Sequence, residues 1–504
     1  MAVSKTILRL FEENGCGGRG VVRGWRAYRW EVVGITLLAA AVRLPNLGAR
    51  SLWFDEALSG CIARLDALSV LANAARSSHP PGYYLLLHLF RPLGASEFAL
   101  RLPSALCSLL AVVLTWQLAG ELFGRRTARL AALGMALSPF QVYYAQEARM
   151  YGLVIALSAG VLWTFLRGAR KGERRVWWAY GTLTGVGLYV HYYVALLVLA
   201  LHLWLLLSRR WVRRTLLSLA LADGLATLAF APQFTQFLAE TSEFVGYARW
   251  RVVPHPLEPL RTFHYLLFGH VMLLWIVPVC LFLILSLLAI GGLGMVRRRS
   301  KAGGALVLVV WTPILGVLAL SLLVTPIYVE RSFAVVTPAL MVWLAYGVAM
   351  TPRRSLMLYL GAALAALMVG GTMLYHLRPD PAKPPLREAA ALVTQEAQAT
   401  DVRLHLQTAS YLPALYYAPG AAGALVDTGQ AIWLAPEAYR LFGGRIIRSG
   451  ELPASGRVWL TVMPGYLSSR QQDFLSRWEE VHPLVRSWDW GAVQVRLYAW
   501  GEGR

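Results

Sequence analysis

From Trp30 to Leu377 the chain repeats one pattern: an apolar run of about 20 residues, a short cluster of Arg and Lys, then another run. A helix rising about 1.5 Å per residue needs that length to cross a hydrocarbon core of about 30 Å. Inside lipid every backbone N–H and C=O must be paired within the chain, so such runs can only be helices. Only 15% of the 504 residues are charged, against roughly 25% in soluble proteins. The pattern therefore predicts an α-helical polytopic membrane protein and excludes a soluble globular one.

The net charge of +21 does not point to nucleic acid, because of where the bases lie. From Arg378 onward there are 13 Lys and Arg against 12 Asp and Glu, which leaves 35 and 15 before it. Sixteen of those 35 sit in short clusters between apolar runs, at Arg125-Arg126, Arg170 to Arg175, Arg209 to Arg214, Arg297 to Lys301 and Arg353-Arg354. Short basic loops of this kind mark the cytoplasmic side. Six further bases (Lys5, Arg9, Arg19, Arg23, Arg26, Arg29) precede the first run, which puts the N-terminus in the cytoplasm and the segment after Leu44 outside. Residues 1–29 carry no cleavable-signal pattern, and a bacterial inner (plasma) membrane is expected. Cys16, Cys61, Cys107 and Cys280 are far apart and read as packing residues.

The runs fall at about 30–44, 98–123, 127–144, 151–167, 177–191, 192–207, 215–235, 271–296, 303–324, 332–350 and 356–376. Pro80–Leu93 is a further apolar stretch, but its 14 residues reach only about 21 Å. If it crossed, every later basic cluster would fall outside. Two arguments thus agree on a juxtamembrane helix within one outer loop, 45–97, and on eleven crossings with an external tail. Segment 236–265 reads as a second long outer loop, either closing over a bound lipid or simply connecting. After Leu377 a Pro-rich linker, RPDPAKPPLREAA, opens a different composition. A helix to about Gln398, strands at 402–408, 457–464 and 492–500, and a helix over Ser468–Val481 predict a small soluble α/β domain across 378–504. Residues 30–377 form the membrane domain.

Charges at a membrane surface are costly unless they have a role, and the outer side collects several. Asp55-Glu56 follows Trp53-Phe54 directly, where desolvation makes a carboxylate a better base; the plainer reading is a helix first turn capped by Ser51. His79-Pro80-Pro81 starts a helix, and its imidazole suits a phosphate, a metal or a bare interface. Gln146-Glu147-Ala148-Arg149-Met150-Tyr151, flanked by Tyr143 and Tyr144, suits sugar hydroxyls and phosphate, or a structural ion pair. Glu330-Arg331 emerges on the same side, and an Arg there engages a phosphate bidentately. His191 marks another outer turn, and Arg76, Glu97 and Arg101 are also external. Asp223 lies within a run, as a helix partner or a polar relay.

In order along residues 30–350, an Asp-Glu in the first outer loop, HPPGYYLLLHLF, ALRLPSAL, AQEARMY and ERSFAVVTPALMVWLAYG resemble the GT-C glycosyltransferases. The branch most similar holds the protein O-mannosyltransferases and the lipid A aminoarabinose transferase. The resemblance implies a polyprenyl-phosphate-linked sugar donor, a lipid, glycan or protein acceptor, and transfer on the outer face. It puts Asp55 in the place of the catalytic acid, with Glu56 beside it. His79, Tyr83, Glu147, Arg149, Tyr151, His191 and Arg331 then fall where donor and acceptor are held. A divalent metal stays open, with Asp55, Glu147 and His79 as candidates. The expected chemistry is an inverting transfer, with Asp55 as base and Arg149, Arg331 and His79 clamping the phosphate. A lipid-linked sugar flippase remains the alternative, although no repeat symmetry of the kind transporters show is visible.

Overall fold

In the computed structural model, residues 19–73, 79–209, 213–247, 252–270, 273–378, 383–429, 434, 436–452 and 456–500 are described; Arg76 and Cys16 lie outside them. The first membrane helix is α1 (Arg19–Arg43). Three short helices follow in the predicted outer loop, α2 (Phe54–Arg64), α3 (Ala67–Asn73) and α4 (Gly82–Phe90). The nine residues of α4 span about 13 Å, too short to cross. Next come α5 (Glu97–Phe123), α6 (Arg125–Leu137), α7 (Pro139–Ala145), α8 (Tyr151–Lys171), α9 (Arg174–Leu188), α10 (Val194–Ser208) and α11 (Arg213–Tyr247). After α12 (Glu258–Phe268) the membrane part ends with α13 (Val277–Arg297), α14 (Lys301–Leu323), α15 (Thr337–Met350) and α16 (Arg354–Leu377).

Each of the eleven expected runs is helical, and among the described residues seven helical segments are long and apolar enough to cross by those criteria alone. The run at 127–144 departs from expectation. It is two helices, because Ser138 ends α6 in extended geometry and caps α7 by accepting from the Gln141 amide, with Pro139 at the first helical position. Segment 236–265 is not a long loop: α11 runs on to Tyr247, and α12 occupies the end of the segment. Packing is layered by burial. Every residue of α15 from Thr337 to Ala349 is buried, whereas Leu228, Phe282 and Leu323 project outward from α11, α13 and α14. Apolar side chains on the outer surface of apolar helices are what a lipid-facing belt requires. Cys61 and Cys280 are buried free thiols, and Cys107 is partly buried.

Asp223 joins neighbouring helices. It accepts a hydrogen bond from the Tyr180 hydroxyl of α9 (3.1 Å) and stands 2.9 Å from His202 Nε2 of α10. Polar staples of this kind hold membrane helices together.

Beyond α16 the chain forms α17 (Leu386–Glu396), β1 (Val402–His405), α18 (Thr408–Tyr417), β2 (Ala424–Asp427), α19 (Pro436–Leu441), β3 (Arg445–Arg448), β4 (Gly456–Val462), α20 (Ser469–Val481), β5 (Leu484–Asp489) and β6 (Gln494–Trp500). The six strands lie in the order β3-β2-β1-β4-β6-β5. β1 to β4 are parallel, and β6 and β5 are antiparallel. The α/β tail is as expected, with β2, β3 and β5 added.

This domain sits on the segment between α1 and α5. Helix α18 packs against α2: the Arg64 guanidinium lies 3.8 Å over the Tyr416 ring and donates to the Tyr416 carbonyl. The Tyr417 hydroxyl accepts from the Leu52 amide and donates to Glu97. Arg387 of α17 donates to Glu97 and to the Ala49 carbonyl.

Candidate active site

Helix α2 begins at Phe54 with no side-chain cap, and its two acids lie in the first turn, where the helix dipole favours negative charge. Ser51 is not the cap; its hydroxyl donates to Glu388. Successive helical residues diverge by about 100°, so Asp55 and Glu56 point to different places. Glu56 turns inward and is fully buried, while Asp55 remains 15% exposed.

Around Asp55 stand two guanidiniums. Arg149 Nη2 is 3.6 Å from Oδ2, and Arg331 Nη2 is 3.9 Å from the same oxygen. These are charge–charge separations and not hydrogen bonds. Among the described residues, no donor is hydrogen-bonded to the Asp55 carboxylate. Arg149 Nη2 also lies 3.4 Å from His79 Nε2, which brings together residues separated by 24 and 70 positions. Asp55, Arg149 and Arg331 sum to one positive charge, an arrangement with room for an anion. Arg149 is nearly buried and Arg331 is partly exposed.

The scaffold beneath explains why these groups meet. The turn 146–150 between α7 and α8 is pinned on every side. Gln146 donates to the Arg43 and Pro45 carbonyls and accepts from Tyr375, and the Ala148 amide donates to Glu56. Arg43 is itself fully buried, donating to Ser108 and to the Met135 and Ala136 carbonyls. Ser104 donates to the Arg149 carbonyl, so the Tyr83 hydroxyl must donate to Ser104 (2.6 Å). Close approach there needs glycine: a Cβ on Gly152 would come within 2.7 Å of the Ser104 carbonyl. Gly82 is the parallel case at the His-Pro-Pro turn. Its amide donates to the Tyr189 carbonyl, which a Cβ would meet at 2.6 Å. That contact seats His79 against the 189–193 turn, with the His79 and His191 rings 6.4 Å apart.

Glu56 and Glu147 have a different environment from the one their sequence positions suggest. Arg101 of α5 grips Glu56 bidentately, at 2.7 and 2.8 Å. Lys383, from the linker ahead of α17, places its ammonium 3.4 Å from both Glu56 and Glu147. All four side chains are 1% exposed or less. Burial alone would raise the Glu56 pKa, but Arg101 and Lys383 outweigh it and hold the carboxyl well below the usual range. Glu56 therefore faces Arg101, Lys383 and a backbone amide, turned away from Asp55's surroundings.

Of the remaining candidates, Tyr151 is buried, its ring 4.5 Å from Tyr144 and 6.3 Å from His191. His191 accepts from the Tyr193 amide through Nδ1. Burial, with the cations Arg149 and Arg331, pushes its pKa down to about 4, so it is neutral at pH 7. Tyr83 is buried, and its hydroxyl bonds Ser104, which in turn holds the Arg149 carbonyl. The metal candidates do not form a set: among the described residues no three His, Cys, Asp or Glu side chains are placed to hold an ion. Glu147 faces Lys383, and Asp55 and His79 both face Arg149. These residues do not fit a three-ligand centre, and no step below is routed through a metal. The sequence reading missed Lys383 and did not count Arg101 among the site residues. The one available sign was that each is a base close to other outer-side charges.

Comparison with known proteins follows the same lines. The family model for dolichyl-phosphate-mannose-protein mannosyltransferase matches residues 78–234, which include His79, Glu147, Arg149, Tyr151 and His191. No curated protein matches the chain by sequence. Among solved structures, ArnT from Cupriavidus metallidurans in the apo state is similar at a TM-score of 0.66 and 16% identity, over 94% of this chain and 98% of that one. ArnT bound to undecaprenyl phosphate is similar at 0.64 and 16%, over 93% and 97%. The oligosaccharyltransferase AglB from Archaeoglobus fulgidus, in complex with an inhibitory peptide and a dolichol phosphate, matches at 0.56 and 11%, over 94% and 74%. The resemblance read from the sequence thus holds at the level of the GT-C fold.

Proposed function

We propose that this chain, which carries the fold of the GT-C membrane glycosyltransferases, is a plasma-membrane protein with a cytoplasmic N-terminus that transfers a sugar from a polyprenyl-phosphate carrier to the hydroxyl of a lipid, glycan or protein acceptor on the extracytoplasmic face. The observation that carries the reading is the set of three charges, Asp55 with Arg149 and Arg331 beside one of its oxygens. A polyprenyl phosphate is a good leaving group, so the reaction needs a base for the acceptor and cations for the departing anion. Asp55 takes the acceptor's proton as its oxygen attacks the anomeric carbon. The carbon–oxygen bond to phosphate breaks on the opposite face, and configuration inverts. Arg149 and Arg331 hold the phosphate, with His79 beside Arg149. One essential carboxylate is enough, unlike the two of a glycosidase. Glu56 and Glu147 hold the frame on which Asp55 and Arg149 are mounted. The bound undecaprenyl phosphate of ArnT and dolichol phosphate of AglB support a donor of this chemical class.

The test is an assay of purified protein with a panel of polyprenyl-phosphate sugars and lipid, glycan and protein acceptors. The reading requires release of free polyprenyl phosphate that depends on an acceptor. A flippase would move the intact donor across proteoliposomes without releasing it, and that outcome would replace the proposal.

A further inference from the structure

We propose that Lys383 is a positioning residue of this site: by completing, with Arg101, the neutralisation of Glu56 and Glu147 it frees Asp55 to act as base and Arg149 to act as phosphate ligand. The inference rests on the glycosyl-transfer reading and adds a part of the chain that lies outside the membrane domain. Lys383 is 1% exposed, with Nζ 3.4 Å from each carboxylate, 3.1 Å from the Gln146 carbonyl it donates to, and 5.7 Å over the Tyr143 ring. Each acid it meets is next to a site residue along the chain. Glu56 follows Asp55 in the first turn of α2, and Glu147 precedes Arg149 by two positions in the pinned turn after α7.

The charge balance decides what Lys383 does. Glu56, Glu147, Arg101 and Lys383 are four buried charges that sum to zero, which leaves Asp55 as the carboxylate paired with Arg149. Without Lys383 the set of four loses its balance and carries one net negative charge, on side chains next to Asp55 and Arg149 along the chain. In a poorly solvated interior such a charge is not screened away, and it competes with the donor phosphate for Arg149. A buried carboxylate that has lost its ammonium also pulls the 146–150 turn toward another cation. Lys383 reaches this place because the linker is clamped to the outer loop just after it. Glu388 accepts from Ser51, and Arg387 donates to Glu97 and to the Gly48 and Ala49 carbonyls. The C-terminal domain thereby delivers a charge into the membrane domain.

The experiment uses the full chain, with transfer rate and undecaprenyl phosphate affinity as separate readouts. Lys383→Met keeps the length and removes the charge; kcat should fall by about 100-fold, as expected for a misplaced catalytic group, and undecaprenyl phosphate should bind about tenfold more weakly. Lys383→Met combined with Glu147→Gln restores neutrality and should recover both to within a few-fold of wild type. A role limited to stability would leave the rate and the affinity of the folded single variant at wild-type values. The proposal is overturned if Lys383→Met alone keeps wild-type rate and affinity, or if the folded double variant is as impaired as the single. If Lys383→Met does not fold, the double variant decides, since its buried charges balance again. A wild-type protein that binds undecaprenyl phosphate but transfers nothing refutes the glycosyl-transfer reading, and the affinity series alone then decides for Lys383.

Discussion

Replacing Glu56 by Gln separates a structural carboxylate from a catalytic one. The amide keeps the size of the side chain and an acceptor for the Ala148 amide, but it loses the bidentate pair with Arg101 and the contact with Lys383. Removing one partner of a fully buried ion pair typically costs about 3–5 kcal/mol. Here Lys383 keeps Glu147, and Arg101 keeps the carbonyls of Leu47, Arg50 and Ser51, so about 3 kcal/mol is expected. The charge also has a pH signature. Because the folded carboxyl titrates below the unfolded one, its stabilisation is present above the ordinary carboxylate value of about 4.3 and is lost as pH falls toward the lowered value. Thermal unfolding of purified Glu56→Gln should show the loss at neutral pH and a flatter dependence on acid than wild type. Turnover, measured where both proteins are folded, should stay within about tenfold of wild type, whereas removal of a general base costs about 10²–10⁴-fold. Wild-type stability with a loss of turnover beyond that lower limit would refute the assignment and return Glu56 to the chemistry.

Arg331→Gln removes a partly exposed cation from the phosphate side; a charged hydrogen bond of about 1.5–3 kcal/mol makes undecaprenyl phosphate binding about 10–100-fold weaker in a direct binding assay. His191, with its pKa held down to about 4, contributes stability in full above about 6.5 and loses it as pH falls toward 4, at most about 3 kcal/mol. A His191→Gln variant should lack this slope in unfolding curves taken across that window. Asp223→Asn breaks the contact with His202 and should lower thermal stability by about 1–2 kcal/mol, with transfer by the folded protein unchanged.

What the sequence disclosed follows the range of its signals. Apolar runs and basic clusters are local, and they located the membrane helices and separated off the α/β tail. The 14 residues after His79 were too short to cross, and α4 is indeed a nine-residue helix. Strands β2 and β3 have four residues each, and β5 is a largely exposed edge strand, too short or too polar to show alternation. Ser138-Pro139 broke an apolar run that composition alone made continuous. The site was legible as a set of charges expected on one side of the membrane, but not its division of labour. Which of two adjacent acids turns inward depends on α5 and the linker, and a lysine among prolines reads as solvent-exposed until its partners, more than 200 residues away, are in place.

The central claim is that Asp55 is the base for sugar transfer, and turnover by Asp55→Asn tests it most directly. The asparagine is nearly the same size, and the Asp55 carboxylate holds no hydrogen bond among the described residues, so membrane insertion and thermal stability should be retained. Undecaprenyl phosphate affinity should be equal to wild type or tighter, because one negative charge beside Arg149 and Arg331 is gone. Acceptor-dependent release of polyprenyl phosphate should fall by about 10²–10⁴-fold. Near-normal release from the folded variant would contradict the account.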